Sequence, residues 1–245
     1  MFMAMLSVNL DHVAALREVR KRREPDPAQA AVLAEMAGAD GIAIQLRRDR
    51  KYIRDRDLFV LREVVKTRLT IEMPPTDELI ERALEVKPAM VTIVADHADS
   101  DSPVSGIDFN AGPVDFSDVA GRFKGVGIGV CYFVEPEPDA IKGASKIGAD
   151  AVLINCGGFT CAVTLDEAQQ ELDRIDAAAQ AASKAGLSVY AGRGISSKNV
   201  PALHELGLFD EYFVGHSIIS RAVLTGMTAA VAEMLAVIRT DTRQG

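Results

Sequence analysis

The sequence predicts an α/β fold in which parallel strands alternate with helices. Apolar runs of strand length and amphipathic stretches of helix length alternate along all 245 residues. Eight strand-like runs occur, and eight strand–helix units in about 250 residues are typical of a closed barrel, whereas a doubly wound sheet more often has about five to seven strands. No linker rich in Pro, Ser or Gly divides the chain. These observations predict a (β/α)8 TIM barrel that forms a single domain over residues 1–245.

The predicted strands are short apolar runs bounded by turn residues. In order, they are Met5 to Leu10, Gly41 to Leu46, Leu69 to Glu72, Met90 to Ala95, Val126 to Cys131, Ala151 to Asn155, Ser188 to Ala191 and Tyr212 to Val214. The predicted helices carry apolar residues at helical spacing. They include Pro27 to Ala37, Asp55 to Lys66, Thr76 to Val86, Pro136 to Ile147 and Leu165 to Ala185. A further helical pattern, from Leu206 to Ile238, predicts barrel cover or a subunit contact.

Glycines follow three of these helical patterns, at Gly38, Gly148 and Gly186. Glycine suits the left-handed residue that ends a helix. The sequence therefore predicts that the chain turns at these points into the second, sixth and seventh strands.

Composition and charge argue against several classes of protein. The net charge of −8 disfavours a general nucleic-acid-binding surface. The apolar start, Met1 to Leu6, has no basic region and is followed by Asn9 and Asp11, which disfavours a signal peptide and a membrane span. The three cysteines show no CxxC spacing, so we expect reduced thiols and no structural zinc site. The expected location is the cytoplasm.

The end of the first strand presents three polar side chains, Asn9, Asp11 and His12, behind a buried apolar run. Polar groups packed this closely each need a buried partner or a ligand. One interpretation is that a site opens here. The other is that Asn9 and Asp11 only cap the following turn.

Residues that follow the strands of a barrel share one mouth. The polar ones are Asn9, Asp11, His12, Arg17 and Arg20 after the first strand, Gln45, Arg47, Arg48, Asp49 and Arg50 after the second, Glu72 at the third, Asn155 to Gly158 after the sixth, and two glycine sets after the last two strands. These sets, Gly192-Arg193-Gly194 and Gly215-His216-Ser217, lie where barrels commonly bind phosphate through backbone amides and a helix amino terminus. The sequence thus predicts a phosphorylated ligand, although the same glycines could serve only tight turns.

A polar segment at residues 96–109 is long enough to form a lid loop over the fourth strand. Its His97, and His204 in a short helix, are expected to be solvated rather than catalytic. Cys156 lies at the mouth, but no histidine is placed beside it in the sequence, so we expect a packed thiol.

A set of motifs, spread in order from Leu6 to about Leu235, resembles the pyridoxine 5′-phosphate synthase family. The motifs are Asn9-Leu10-Asp11-His12-Val13-Ala14, Pro25-Asp26-Pro27, Ala37-Gly38-Ala39-Asp40-Gly41-Ile42, Asp55-Arg56-Asp57, Glu72-Met73 and Val214-Gly215-His216-Ser217-Ile218-Ile219. The resemblance implies a TIM barrel that condenses 1-deoxy-D-xylulose 5-phosphate with 3-amino-2-oxopropyl phosphate, closing the pyridine ring of vitamin B6. It implies no metal or organic cofactor, and it suggests a homo-oligomer, an octamer.

The resemblance also implies roles for individual positions. It places Asn9, Arg20, Gly194, Gly215 and His216 at the amino-ketone phosphate, and Asp11, His12 and Arg47 at the deoxyxylulose phosphate, with Ser102 of the lid standing where the family has threonine. The catalytic positions implied are Glu72, Gln45 and Arg193.

The chain departs from the family at several positions that carry its chemistry. The family has histidine where this chain has Gln45, Arg193 and the substrate contact Tyr52, and glutamate where it has Leu153. Glutamine does not titrate, and an arginine side chain stays protonated at working pH. Between two glycines, Arg193 is suited instead to a bidentate grip on phosphate or carboxylate.

Three functional hypotheses follow. The first is the family reaction. The second is another condensation or isomerisation of a phosphoketone, with Glu72 as base and Arg193 and Arg47 as anion clamps. The third is a non-catalytic protein that binds a phosphorylated metabolite. In each case the expected partner is a phosphorylated small molecule, with no nucleic acid and no membrane.

Overall fold

The strands of the structure follow the predicted alternation closely. The computed structural model describes residues 3–96 and 105–239. Its strands are β1 (Met5–Asn9), β2 (Gly41–Gln45), β3 (Arg68–Met73), β4 (Met90–Ile93), β5 (Gly129–Val134), β6 (Ala151–Asn155), β7 (Ser188–Gly192) and β8 (Glu211–Val214). Each is parallel to its neighbours and pairs with the next along the chain, and β8 pairs with β1 to close the barrel. The predicted (β/α)8 TIM barrel is confirmed.

Helices connect the strands. They are α1 (Asp11–Arg20), α2 (Pro27–Met36), α3 (Asp55–Val64), α4 (Asp77–Val86), α5 (Phe116–Lys124), α6 (Pro138–Lys146), α7 (Gly157–Cys161), α8 (Leu165–Lys184), α9 (Val200–Glu205), α10 (His216–Thr225) and α11 (Met227–Ile238). The five helices whose bounds the sequence predicts end within two residues of the predicted positions. Gly38, Gly148 and Gly186 have φ of +100°, +80° and +76°, as predicted for helix ends. Within the described ranges, no helix is long and apolar enough to cross a membrane.

The predicted fifth strand, Val126 to Cys131, was placed three residues too early. Val126 and Gly127 donate their backbone N–H groups to Phe123 and Lys124, which makes them the turn that ends α5. Val126 is 53% exposed, so its apolar side chain does not mark a strand. Pairing with β4 begins only at Gly129, which lies opposite Met90. The strand β5 runs from there to Val134.

The sequence patterns did not reveal α1 or α5, and the helical pattern from Leu206 to Ile238 runs across the separately predicted strand Tyr212 to Val214 and does not separate α10 from α11. In α1, charged residues surround the short buried pair Val13 and Ala14. The start of α5 is fixed by the Asp115 side chain, which accepts from two backbone N–H groups of the first turn. The pattern from Leu206 to Ile238 contains β8, α10 and α11, because a short buried strand and the helices around it are all apolar.

Two apolar layers hold the barrel together. One fills its interior and includes Cys131, Phe133, Leu153, Tyr190 and Phe213. The other lies between the strands and the surrounding helices. Successive side chains of each strand point alternately into the barrel and towards the helices, so each strand contributes to both layers.

Polar side chains occupy the amino-terminal end of the barrel. The Ser7 hydroxyl donates to Glu211 Oε1 at 2.6 Å, and Arg68 Nη2 lies 2.8 Å from Glu211 Oε2. A Cβ at Gly41 would overlap the Ser7 hydroxyl, so these groups are tightly packed. We interpret these polar contacts as structural, since the active sites of such barrels form at the opposite end.

Arg17, which the sequence predicts at the mouth of the barrel, does not line the cavity there. Its guanidinium is buried and binds both carboxylate oxygens of Asp57, at 2.8 and 2.7 Å. The same group donates to the carbonyl oxygen of Tyr52 at 2.7 Å. This bidentate pair fastens α1 to the start of α3 and fixes the backbone of the segment that carries Tyr52.

Candidate active site

A cavity of about 550 Å³ opens at the carboxyl ends of the strands. Most of the predicted site residues line it together: Asn9, Asp11, His12, Gln45, Tyr52, Glu72, Arg193, Gly194, Gly215 and His216. The barrel explains this convergence, because loops from five different strands meet at one end.

Two predicted residues within the described ranges, Arg20 and Arg47, are not among the residues that line the cavity. Arg20 is exposed at the last position of α1. Arg47 is buried and binds Asp49 through Nε–Oδ1 and Nη2–Oδ2 contacts of 3.0 and 2.9 Å. Ser102, with residues 97–104 of the predicted lid, lies outside the described residues.

The two carboxyl groups of the site are Asp11, at the start of α1, and Glu72 of β3, and the amides Asn9 and Gln45 lie at the ends of β1 and β2. Gln45 and Glu72 are register partners on neighbouring strands. Asp11 Oδ1 accepts the backbone N–H of Gln45 at 2.7 Å, and Asn9 Oδ1 accepts the backbone N–H of Asp11 at 2.9 Å. Asn9 therefore caps the turn, as one interpretation of this strand end predicts, whereas Asp11 binds the backbone of β2 and lines the cavity.

Burial changes the acidity of these groups. It raises the pKa of the Glu72 carboxyl to about 8, the negative charge of Asp11 adds to this, and a hydrogen bond from Asn9 opposes it. Burial also raises the pKa of Asp11 to about 6, against hydrogen bonds from Gln45 and Asn9 and the positive charge of Arg47. Near neutral pH, Glu72 is mostly protonated and Asp11 mostly ionised.

Two histidines face each other at the cavity entrance. The rings of His12 and His216 meet edge to face with centroids 5.1 Å apart. Burial lowers the pKa of His12, and the proximity of His216 lowers it further. His12 is the second residue of α1 and His216 is the first residue of α10, so both rings lie close to helix amino termini, which favour bound anions.

The two predicted glycine loops flank this entrance. Arg193 and Gly194 have φ of +77° and +69°, and a Cβ at Gly194 would overlap the Thr160 hydroxyl. Gly215 immediately precedes α10, and a Cβ there would lie 3.2 Å from Asn9 Cβ. Glycine is thus required for close packing in the first loop and keeps the second loop against β1.

A hydrogen-bond chain supports the loops after β5, β6 and β7. Glu135 Oε1 accepts from the Gly106 N–H at 2.6 Å and from Asn155 Nδ2 at 3.0 Å. Asn155 Oδ1 in turn accepts the Gly157 N–H at 2.9 Å, which begins α7. The Thr160 hydroxyl of that helix lies 3.4 Å from the Arg193 carbonyl oxygen. This chain connects Gly106 to the glycine loop after β7.

Sequence reasoning missed part of the cavity wall, which includes Phe133, Thr160, Ser196 and Phe213. The misplaced fifth strand hid Phe133, since its correct register points alternate residues of β5 inward. Phe213 sits in an apolar strand and gave no chemical signal. Together with Leu153, these two rings form an apolar part of the wall.

The remaining candidates are accounted for by packing. Cys131 and Cys156 are buried, Cys161 is exposed, and all three are free. Burial raises the pKa of the Cys156 thiol to about 12, which suits the predicted packed thiol. His204 is half-buried rather than solvated, with its ring centroid 6.3 Å from that of Tyr212.

Comparison with known proteins matches this chain to one family. The family model described as "Pyridoxal phosphate biosynthesis protein PdxJ" covers residues 6–240. The chain is 45% identical to the pyridoxine 5′-phosphate synthase of Geobacter sulfurreducens over 237 residues, 97% of this chain and 99% of that protein. It is 44% identical to the synthase of a Synechococcus strain over 232 residues, 95% of this chain and 97% of that protein.

Among solved structures, the phosphoribosyl anthranilate isomerase of Thermus thermophilus superposes with a TM-score of 0.61 at 13% identity, covering 96% of this chain and 98% of that one. That similarity concerns the fold alone. The sequence identity and the full-length family match go further, and they show that this chain belongs to the pyridoxal phosphate biosynthesis protein PdxJ family.

Proposed function

We propose that this chain is a ring-closing synthase that condenses 1-deoxy-D-xylulose 5-phosphate with 3-amino-2-oxopropyl phosphate to form pyridoxine 5′-phosphate. The observation that carries the proposal is one cavity in which Glu72, a buried carboxyl group that keeps a proton near neutral pH, faces the two glycine loops. Such a cavity combines proton transfer with phosphate binding. Relatives at 44–45% identity carry the name of this activity.

The proposed binding roles follow the resemblance. Asn9, Arg20, Gly194, Gly215 and His216 would hold the amino-ketone phosphate. Asp11, His12, Arg47, Tyr52 and Ser102 would hold the deoxyxylulose phosphate. The bidentate Arg47–Asp49 contact means that Arg47 must exchange its carboxylate partner, or share it, to reach a phosphate.

Glu72, Gln45 and Arg193 are the proposed catalytic positions, with different capacities. Glu72 can give or take a proton. Gln45 can only donate and accept hydrogen bonds, and Arg193 can stabilise negative charge without titrating. The site is therefore better equipped to bind anions than to move several protons.

The proposed function predicts enzyme-dependent formation of pyridoxine 5′-phosphate when purified protein is incubated with both phosphoketones. Mass spectrometry of long incubations detects product even at slow turnover, and phosphate release should match it in amount. Omitting either phosphoketone is the control. Product no more abundant with protein than without it would contradict the proposal.

Phosphate binding is a separate prediction. Inorganic phosphate at ten times its dissociation constant should stabilise the native chain by about 1.4 kcal/mol, raising the melting temperature by a few degrees for a chain of this size. Gly215→Leu should abolish the increase, because its side chain would press on Asn9.

Gly121→Leu is the matched control, because Gly121 lies in α5 with open space at its Cβ position. Its increase in melting temperature should equal that of the unmodified chain. Equal increases in the Gly215 and Gly121 variants would place phosphate elsewhere.

A different condensation or isomerisation of a phosphoketone is the second candidate. It is favoured by the finding that Gln45, Leu153 and Arg193, where the chain departs from the resemblance, all line the cavity. Phosphate-dependent stabilisation without any pyridoxine 5′-phosphate would support this candidate, or a non-catalytic phosphometabolite binder. Turnover of other phosphoketones would separate the two.

The assembly proposed is a cytoplasmic homo-oligomer. Exposed apolar side chains on neighbouring helices support it, namely Leu16 and Val19 of α1 and Val32, Leu33 and Met36 of α2. Exposed apolar side chains on adjacent helices are typical of subunit contacts. No cofactor or metal is proposed.

A further inference from the structure

Three neighbouring strands bring two carboxyl groups to the same wall of the cavity. Asn9 ends β1, Gln45 ends β2 and Glu72 lies one residue from the end of β3. Asp11 begins α1, and the Gln45 backbone N–H holds its carboxylate at 2.7 Å. The Asn9 side chain hydrogen-bonds to both Asp11 and Glu72. One amide thus lies between two acids that face the same space.

We propose that Asp11 and Glu72 act as one acid–base pair that enolises a bound phosphoketone, with Glu72 as proton donor and Asp11 as proton acceptor. This rests on the proposed function only in taking a phosphorylated ketone as the ligand. It assigns Asp11 a catalytic role, beyond the substrate contact that the resemblance implies, and it makes Glu72 an acid in this step.

The surroundings of the pair favour one shared proton. Both residues line the cavity, and the negative charge of Asp11 raises the pKa of Glu72, so ionising both carboxyl groups costs more than ionising one. Asp11 is the group better stabilised as an anion, because the Gln45 N–H, Asn9 and the positive charge of Arg47 all act on it. Among the described residues, Asn9 favours the Glu72 anion through a hydrogen bond, and the negative charge of Asp11 opposes it.

Other charged or titratable groups near the pair do not reverse this order. His12, His216 and Arg193 line the same cavity. The Cys131 thiol lies near Glu72, and burial raises its pKa so far that it stays neutral. With pKa values of about 8 for Glu72 and about 6 for Asp11, the pair holds one proton over the range between them.

The proton balance of the step closes within the pair. Asp11 takes a proton from the carbon next to the carbonyl group, and the C–H electron pair becomes the C=C bond of the enol. The carbonyl π pair takes the Glu72 proton and becomes the enol O–H. The pair holds one proton before and after the step. Exchange of the proton on Asp11 with solvent, followed by the reverse step, leaves solvent hydrogen on the substrate carbon.

The test is hydrogen–deuterium exchange at carbon in 1-deoxy-D-xylulose 5-phosphate, followed by NMR in D2O with purified protein and corrected for the protein-free rate. The exchange rate should rise as pH increases through about 6, where Asp11 loses its proton. It should fall as pH increases through about 8, where Glu72 loses its proton. A parallel incubation in H2O buffer serves as the control for both the acidic and the alkaline part of the pH profile.

Asp11→Asn and Glu72→Gln should each lower the maximal exchange rate by about 10²-fold. Asp11→Asn should remove the acidic limb and Glu72→Gln the alkaline limb, and Asp11→Glu should restore part of the rate. A merely structural role would not move the limbs separately. Circular dichroism establishes that the variants fold.

The matched controls are Asp139→Asn, on the surface beside Lys142, and Glu211→Gln, a carboxyl buried at the opposite end of the barrel. Both should keep the pH profile of the unmodified chain. An unchanged rate or acidic limb in Asp11→Asn overturns the proposal, and so does the absence of exchange above background between pH 5 and 9. If Asp11→Asn does not change the exchange rate but the unmodified chain still forms pyridoxine 5′-phosphate, the proposed function stands and the proposed acid–base pair is refuted.

Discussion

The unmodified chain should form pyridoxine 5′-phosphate far more slowly than a variant that regains titrating groups at Gln45 and Arg193. Ring closure requires several proton transfers, and each well-placed acid or base contributes about 10²- to 10⁴-fold. Two missing groups at about 10² each correspond to roughly 5 kcal/mol of transition-state stabilisation, if their effects are independent. We therefore expect the double variant Gln45→His/Arg193→His to gain at least about 10²-fold in kcat.

The structure indicates which of the substitutions that restore titrating groups the site can accommodate. Gln45 is the register partner of Glu72, so a histidine there would stand beside the existing acid. Leu153 packs in the barrel interior with Phe133 and Phe213, so Leu153→Glu buries a carboxyl among apolar groups. That change should raise the pKa of the introduced carboxyl and lower stability. The double and the triple variants should therefore be compared, with melting temperatures measured for both.

Initial rates of product formation and phosphate release, with both phosphoketones saturating, measure the effect. Arg174→His, on the exposed side of α8, controls for the addition of a histidine and should leave the rate unchanged. Unmodified protein that turns over about once per second, near the ordinary range for enzymes, would refute the prediction. It would mean that Glu72 and the neighbouring carboxylate carry the proton transfers without help.

Loss of the buried Arg17–Asp57 pair should be the most destabilising single change outside the apolar core. Arg17→Leu leaves the buried Asp57 carboxylate without its bidentate partner and removes the hydrogen bond to the Tyr52 carbonyl oxygen. Breaking a buried ion pair from one side costs about 3–5 kcal/mol. For a chain of this size, that lowers the melting temperature by on the order of 10 °C.

Urea unfolding of the two variants measures the free energy of unfolding directly. The control is Arg221→Leu, which breaks a pair with Glu233 whose two side chains are each 49% exposed, and which should cost less than about 1 kcal/mol. Similar losses in both variants would show that the buried pair contributes no more than a surface pair. Because Arg17 holds the Tyr52 backbone, its variant should also weaken phosphoketone binding.

The fold could be predicted from the sequence because its determinants are local and repeated. Apolar runs recur in all eight units, helical spacing recurs in most of them, and Gly38, Gly148 and Gly186 mark three of the helix ends. An error in one element therefore does not change the predicted number of strands. The fifth strand shows the limit. Val126 is apolar but exposed, and only pairing with Met90 of β4 reveals where β5 begins.

The sequence by itself determined the barrel, the family and the residues expected at the mouth, since strand order alone brings their loops to one end. Only the tertiary structure decided that Arg17 binds Asp57 rather than a ligand, that Arg20 and Arg47 lie away from the cavity walls, and that Asp11 and Glu72 hold different charges near neutral pH. These outcomes depend on burial and on neighbouring charge. Both are set by residues that are distant in the chain and adjacent in the barrel, which no local pattern in the sequence records.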